Sequence, residues 1–231
     1  MKEPDRIKTQ LPPCDVLREM IASKNALLRN GEHKNAVAGI GPREAWALYN
    51  VVLNEKPDLV VEIGMAQGVS TLSILCALEK TGGRLISIDP YVNWKSGKEA
   101  ALYAVERAGC AARHTFIEEK SYEALPKLLA LGTKVDLGYI DGSHAFEHAF
   151  TDFFYLDRML RLSGIIGFND AGWRSVNRVI QFLRTRRKYA EMDVGLHSDY
   201  AARNLLRSIL RRLLRMSRQD RYFRKLEETQ D

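Results

Sequence analysis

From residue 58 onward, short runs of β-branched and aliphatic residues alternate with longer stretches of helical spacing. That alternation restricts the chain to a mostly parallel sheet with helices packed on both faces. Residues 58–63 (DLVVEI), 85–88 (LISI), 114–117, 135–140 (VDLGYI) and 165–168 (IIGF) read as five strands. Residues 69–81, 99–108, 122–131 and 146–162 read as the intervening helices, most of them closed by glycine. Two lead-in helices are predicted over 15–29 and 43–55, the second starting after Gly41-Pro42. After the fifth strand, 176–188 reads as a helix and 190–194 as a sixth strand. A seventh strand over 221–226 is expected to return antiparallel, with a helix over 201–216 inserted before it. The expected fold class is therefore α/β, doubly wound, with a mostly parallel seven-stranded sheet, N-terminal helices and a helical insertion near the C-terminus. One domain over 1–231 is the economical reading: N-terminal helices over 1–57, a ligand-binding core over 58–195, and a basic helix with the last strand over 196–231.

An apolar fraction of 45% supplies a core, and 28% charged residues suit a solvated surface. No apolar run approaches the roughly 18 residues a spanning helix needs. The charged, proline-broken stretch over 1–13 lacks the apolar centre of a secretory signal, so a cytoplasmic protein is expected. Cys14, Cys76 and Cys110 are far apart in sequence, form no CxxC pair, and read as reduced packing residues. The formal charge of +6 is uneven: from residue 197 onward nine basic side chains face five acidic ones, which leaves the rest of the chain nearly neutral.

The most informative stretch is VVEIGMAQGVSTL, residues 60–72. A buried strand delivers Glu62, Gly64 and Gly68 bracket a turn, and Ser70-Thr71 open a helix. Glycine lets the backbone approach a ligand closely, and a helix N-terminus offers free N–H groups to a carboxylate or phosphate. The GxGxxG spacing of a dinucleotide fingerprint is absent, which argues against a nicotinamide-dependent dehydrogenase. Asp89 ends the next strand about twenty residues past Gly68, well placed to accept hydrogen bonds from a ribose diol.

The order ExGxxxGxST, a strand ending in Asp89-Pro90-Tyr91, then IDGSH, then a strand ending in Asn169-Asp170, resembles the class I methyltransferases, whose fold is Rossmann-like. It looks most like the branch with macrolide-sugar O-methyltransferases and cephalosporin-type hydroxylation/methylation proteins, and is more distantly similar to catechol O-methyltransferases. The resemblance runs over about residues 41–187, and departs from the commoner ExGxGxG by placing Ala66 at the middle glycine. It implies S-adenosylmethionine as cofactor. Gly64 and Gly68 would line its methionine part with Ser70, Glu62 would order the loop, and Asp89 would take the ribose hydroxyls. Lys120 and Ser121, after the third strand, would lie by the adenine, and Asp141 would also border the cofactor.

Asp141 ends the fourth strand and Asn169-Asp170 the fifth, and neighbouring carboxyl ends of a parallel sheet face one crevice. Two carboxylates and an amide oxygen there suit Mg²⁺, which prefers oxygen ligands. Helix capping is the plainer role for these acids, but it does not call for an acid at both strand ends. Methyl transfer to an alcohol requires loss of its proton, and His144, in the DGSH segment, is the candidate general base; the resembling sugar enzymes place a histidine there and the catechol enzymes a lysine. The stretch HAFEH is not the HExxH of zinc proteases, and His33, His114 and His197 have no partner that suggests chemistry.

The expected activity is Mg²⁺-dependent O-methylation of a sugar or glycoside hydroxyl. The alternatives are a phenol or catechol O-methyltransferase and, from other classes, a dehydrogenase or a non-catalytic cofactor-binding partner protein. The expected partners are a small-molecule or carbohydrate acceptor and a second copy in a homo-oligomer, with no nucleic acid. Leu206, Ile209, Leu210 and Leu213 form one face of the tail helix and arginines the other. Packing on the domain or a second subunit is the plainer reading, and peripheral contact with an anionic membrane is the other.

Overall fold

The computed structural model describes residues 10–35, 39–92, 94–196 and 220–229. An N-terminal helix α1 (Asp15–Ser23) leads into a hairpin of β1 (Asn25–Leu27) and β2 (His33–Asn35), then α2 (Pro42–Glu55). Thereafter strands and helices alternate: β3 (Leu59–Ile63), α3 (Val69–Thr81), β4 (Arg84–Ile88), α4 (Lys95–Arg107), β5 (His114–Ile117), α5 (Ser121–Ala130), β6 (Val135–Ile140), α6 (Phe146–Met159), β7 (Leu160–Phe168), α7 (Arg174–Arg186), β8 (Tyr189–Met192) and β9 (Arg221–Lys225). The seven-stranded sheet runs β5-β4-β3-β6-β7-β9-β8. β3 through β7 pair in parallel, and β9 runs antiparallel between β7 and β8.

Strand alternation divides the core into two layers. Along β3, Val60 joins a cluster with Leu17, Leu48, Leu72 and Leu75, under α1 to α4. Its neighbours Leu59, Val61 and Ile63 join the opposite cluster with Leu125, Phe153, Leu156 and Ile180, under α5 to α7. A strand covered on both faces reads as a continuous apolar run, which is why LVVEI carries no polar alternation beyond Glu62. Burying each such side chain is worth roughly 1.5–3 kcal/mol.

After β3 the chain builds outward to β4 and β5, then returns across the sheet to β6. The crevice between the ends of β3 and β6 is the topological switch point, where open α/β sheets bind ligands. β9 fills the place expected of the last strand. Being antiparallel, it begins where the parallel strands end, and this sets Arg221 beside Phe168.

Several boundaries differ from expectation: α4 starts at Lys95 rather than 99 and β7 at Leu160 rather than 165, and two further differences have clear causes. The first helix stops at Ser23 rather than near residue 29, because Lys24 turns left-handed (φ 54°) and Asn25–Leu27 pairs with His33–Asn35. The Asn30-Gly31 dipeptide, with Gly31 at φ 86°, supplies the hairpin turn. The helix expected to reach residue 162 ends at Met159, where Leu160 already pairs with Val135. The tail helix expected over 201–216, with its leucine face, lies outside the described residues. Among the described residues no helix is long and apolar enough to cross a membrane.

Candidate functional site

The turn from β3 into α3 is held by its own backbone and by Asp89. Gly64 and Gly68 take left-handed φ of 90° and 89°. At Gly64 the requirement is steric as well: a Cβ would lie 2.2 Å from the Asp141 carbonyl oxygen. Ala66, at the middle-glycine position, also sits at φ 47°, a conformation that glycine adopts more cheaply. Asp89 Oδ2 accepts from the Met65 and Ala66 amides, both at 3.0 Å, and Oδ1 accepts from Tyr91 N at 2.9 Å. Asp89 therefore shapes the loop directly. Tyr91 closes over the turn, its hydroxyl donating to the Ala66 carbonyl and its ring edge-on to Phe116.

Behind the loop Glu62 is fully buried. Thr71 Oγ1 (2.8 Å) and Ser87 Oγ (2.6 Å) donate to its Oε2, and Ser87 in turn meets His114 Nε2 at 3.0 Å. His114 therefore has a hydrogen-bond partner in the buried layer, and burial pushes its pKa down to about 4 and keeps it neutral. Burial pushes Glu62 up to about 7 against the help of Ser70, Ser87 and Thr71. Ser70 sits close to the carboxyl group, yet Oε1 has no aligned hydrogen bond among the described residues.

A carboxyl group raised in the folded state favours folding while neutral. Glu62 contributes fully below its unfolded value of about 4.5, and the contribution is lost as pH rises through about 7. The loss is about 3 kcal/mol at most, by linkage. Glu62→Gln keeps an acceptor for Thr71 and Ser87 but does not ionise. Denaturant unfolding of the ligand-free protein is expected to give matching stabilities at about pH 4, below the unfolded value, and a more stable variant at pH 8. Parallel pH profiles for the two proteins would remove Glu62 as the source.

Across the crevice, Asp141 N donates to Ile63 O (2.8 Å) and Asn169 N to Ile140 O (2.9 Å), so the two strand ends continue the sheet ladder into the site. Burial, then the charges of Asp220, Glu62, Asp170 and Asp89, pushes the Asp141 carboxyl well above its usual range. Asn169 Nδ2 donates to Asp220 Oδ1 (2.8 Å), while Tyr139 and Tyr222 hydroxyls donate to Asp220 Oδ2 (2.7 and 2.9 Å). This fixes the Asn169 amide with its nitrogen toward β9. Asp170 holds a left-handed φ of 49°, and its Oδ2 lies 3.0 Å from His144 Nε2. The two atoms touch but are not aligned as a hydrogen bond. The His144 ring also stacks on Trp173, centroids 5.0 Å apart and 14° from parallel.

The fold thus gathers Glu62, Gly64, Gly68, Ser70, Asp89 and Asp141 around one turn, and His144, Asn169 and Asp170 beside it. Ser121 begins α5 with its side chain near the carboxyl of Asp152, which is buried on α6 and raised by that burial to about 6. Lys120 is not drawn in: its ammonium lies over the Tyr122 ring. Asp220 and Asp152 were not anticipated. Asp220 carries a visible cue, an acid directly before the last strand, and Asp152 none that separates it from a surface helix acid. Among the described residues no three His, Cys, Asp or Glu side chains form a metal cluster. The expected set of two acids and an amide is of a different composition.

Comparison with known proteins agrees with this geometry. The family described as "Methyltransferase domain" matches residues 61–171. O-methyltransferase hkm8 of Aspergillus hancockii is 29% identical over 126 residues, 54% of this chain and 47% of that protein. The match therefore spans about half the length of this curated relative. Among solved structures, the O-methyltransferase TomG from Streptomyces achromogenes, involved in tomaymycin synthesis and solved with SAM, superposes with a TM-score of 0.62 at 16% identity, covering 82% of both chains. The O-methyltransferase from Bacillus cereus with SAH gives 0.63 at 15%, covering 78% of this chain and 84% of that one. Podospora anserina methyltransferase PaMTH1 with SAH gives 0.65 at 13%, covering 98% and 99%. The chain has the α/β fold of the methyltransferases, and the stretch that matches their domain family is the one that builds its glycine turn and its strand-end acids.

Proposed function

We propose that the protein transfers a methyl group from S-adenosylmethionine to a hydroxyl of a sugar or glycoside, with His144 as general base and Mg²⁺ held by Asp141, Asn169 and Asp170. The observation that carries this reading is the contact of His144 with Asp170 at the end of β7, beside the Gly64 turn. It sets an imidazole against one strand-end acid, Asp170, whose charge is felt by the other, Asp141.

The residues suit the cofactor. The buried, unpartnered Oε1 of Glu62 matches an amino-acid ammonium group, and the start of α3 matches its carboxylate. Each carboxylate oxygen has two lone pairs, so Asp89 Oδ1 retains an acceptor site beyond its bond to Tyr91. Ser121 stands at the start of α5, beside the turn after β5, and the resemblance puts adenine there. The donor set also suits Mg²⁺: with its nitrogen engaged by Asp220, Asn169 keeps its oxygen for a ligand, and the neighbouring acids that, after burial, raise Asp141 make a crowd of charge that a cation relieves. When bound, the cofactor supplies an electrophilic methyl group and the cation supplies Lewis-acid polarisation of the acceptor oxygen. His144 takes the hydroxyl proton, and Asp170 and Trp173 hold its ring in place.

Calorimetry with S-adenosylhomocysteine, NAD and Mg²⁺ added separately tests the reading. The first and third are expected to bind and NAD is not, and Asp141→Asn is expected to lose the Mg²⁺ signal. Exhaustive chelation is expected to abolish turnover until Mg²⁺ returns. NAD binding in place of S-adenosylhomocysteine would transfer the protein to another class, and full activity after chelation would remove the cation from the reading; helix capping is not the alternative, since α6 and α7 are preceded by Ala145 and Trp173 with no side-chain cap bond.

A phenolic acceptor is the second reading. It is favoured by the flat rim beside His144, where Trp173 is 45% and Phe146 41% exposed. Assay of matched glycosides and catechols separates the two.

A further inference from the structure

The strand ends beside the crevice are in register. Ile140 pairs with Phe168 and Phe168 with Arg221, so one step further out Asp141, Asn169 and Asp220 stand in a row across β6, β7 and β9. Asp220 joins that row although 51 residues separate it from Asn169 in sequence. Behind it Tyr139, Gly167 and Tyr222 form a second row. The glycine there makes room for its neighbours: a Cβ at Gly167 would lie 2.7 Å from Tyr222 Cε1 and 3.0 Å from Tyr139 Cδ2. With no side chain between them the two rings stack, centroids 6.3 Å apart and 20° from parallel.

Both tyrosine hydroxyls reach the same oxygen, Asp220 Oδ2, at 2.7 and 2.9 Å. The other oxygen, Oδ1, accepts from Asn169 Nδ2 at 2.8 Å. Asp220 and both tyrosines are buried, so each of these bonds is shielded from water. Asn169 is thereby left one amide orientation. Turned over, its oxygen would face a carboxylate oxygen, and a charge-assisted bond would become a repulsion. The tyrosines hold Asp220 in turn, and the missing side chain at Gly167 is what lets them do so.

We propose that Asp220 is a positioning residue for the candidate cation site: through Asn169 Nδ2 it fixes the amide so that the oxygen faces the crevice as a ligand. The inference rests on the Mg²⁺ reading given above and extends it to the residue directly before β9. Asp220 acts through Asn169 rather than on the cation. A donor held in place before the ion arrives binds it more tightly than one free to turn, because no ordering is left to be done.

The test compares two variants of the full chain at pH 8, above the value of about 7 to which burial raises Asp220. Asp220→Asn still presents an oxygen to Asn169 Nδ2 while its own amide donates to a tyrosine oxygen. Asp220→Leu does neither. Both variants remove the charge that also acts on Asp141, so the difference between them reports orientation alone. In calorimetric titration, Asp220→Leu is expected to bind Mg²⁺ about tenfold or more weakly than Asp220→Asn, the range for losing a ligand's outer partner. In amide NMR spectra of the metal-free wild type, the two Asn169 side-chain protons are expected to exchange slowly with solvent, and added Mg²⁺ is expected to shift them. Equal Mg²⁺ affinity in the two variants would leave Asp220 only a distant charge and overturn the proposal. Fast exchange of the Asn169 amide, or Mg²⁺ binding that leaves its signals in place, would do the same, and these wild-type spectra decide even where Asp220→Leu fails to fold. A wild type that binds no Mg²⁺ would sink the cation reading and this proposal together, whereas the other failures sink the proposal alone.

Discussion

Gly64→Ala is expected to abolish S-adenosylhomocysteine binding and to destabilise the fold by roughly 3 kcal/mol or more, the sum of a left-handed alanine and a backbone clash. The new Cβ would lie 2.2 Å from Asp141 O, 2.6 Å from Asp141 C and 2.9 Å from Gly142 N. These are all backbone atoms at the end of β6, so no side-chain rotation relieves them. Relief means separating β3 from β6 at the switch point, where both the glycine turn and Asp141 are positioned. Gly68→Ala is the matched control. It has nearly the same φ, but its Cβ would sit 3.5 Å from Ala101, in ordinary contact. Its expected cost is only the conformational one, about 1 kcal/mol. Ala66, already at φ 47°, shows that one left-handed alanine is tolerated in this turn. The clash is thus the larger effect. Denaturation midpoints of the two variants decide it, and a Gly64→Ala protein as stable as Gly68→Ala would show that the strand ends are not in close register.

The parallel strands, the glycine turn and the acids at the strand ends were legible because each is written in a local pattern. VVEIGMAQG carries a buried strand and its turn within nine residues, and VDLGYIDG and IIGFND each end a strand on a polar residue. Contacts that depend on the return of a distant segment were not legible. Asp220 meets Asn169 only because β9 runs antiparallel beside β7, which brings the first residues of a late strand to the last residues of an early one. The β1–β2 hairpin was written locally, in Asn30-Gly31, but the helical spacing before it masked the turn. Lys120 lay at the right place in sequence, yet as the residue preceding α5 its long side chain projects from the rim and settles over Tyr122.

His144→Ala is expected to lower turnover by roughly 10² to 10⁴, the range for losing a positioned base. The size matters, because the alternative role for His144 is structural and predicts a different pattern. His144 sits on the loop between β6 and α6, is partly exposed, and touches Asp170 and Trp173 rather than the core clusters. Its removal therefore leaves β6, β7 and the Glu62 network intact, and the variant is expected to unfold at the wild-type midpoint and to bind S-adenosylhomocysteine normally. The fall is expected in kcat with KM little changed, since the proton moves only in the transition state. His144→Gln separates chemistry from packing: an amide fills the space beside Trp173 and reaches Asp170 but accepts no proton at working pH, so it is expected to be as slow as alanine. A glutamine variant that recovered most of the activity would make His144 a positioning residue, with the acceptor proton leaving to solvent. Loss of Mg²⁺ binding in either variant would instead make His144 a ligand and break the oxygen-only donor set.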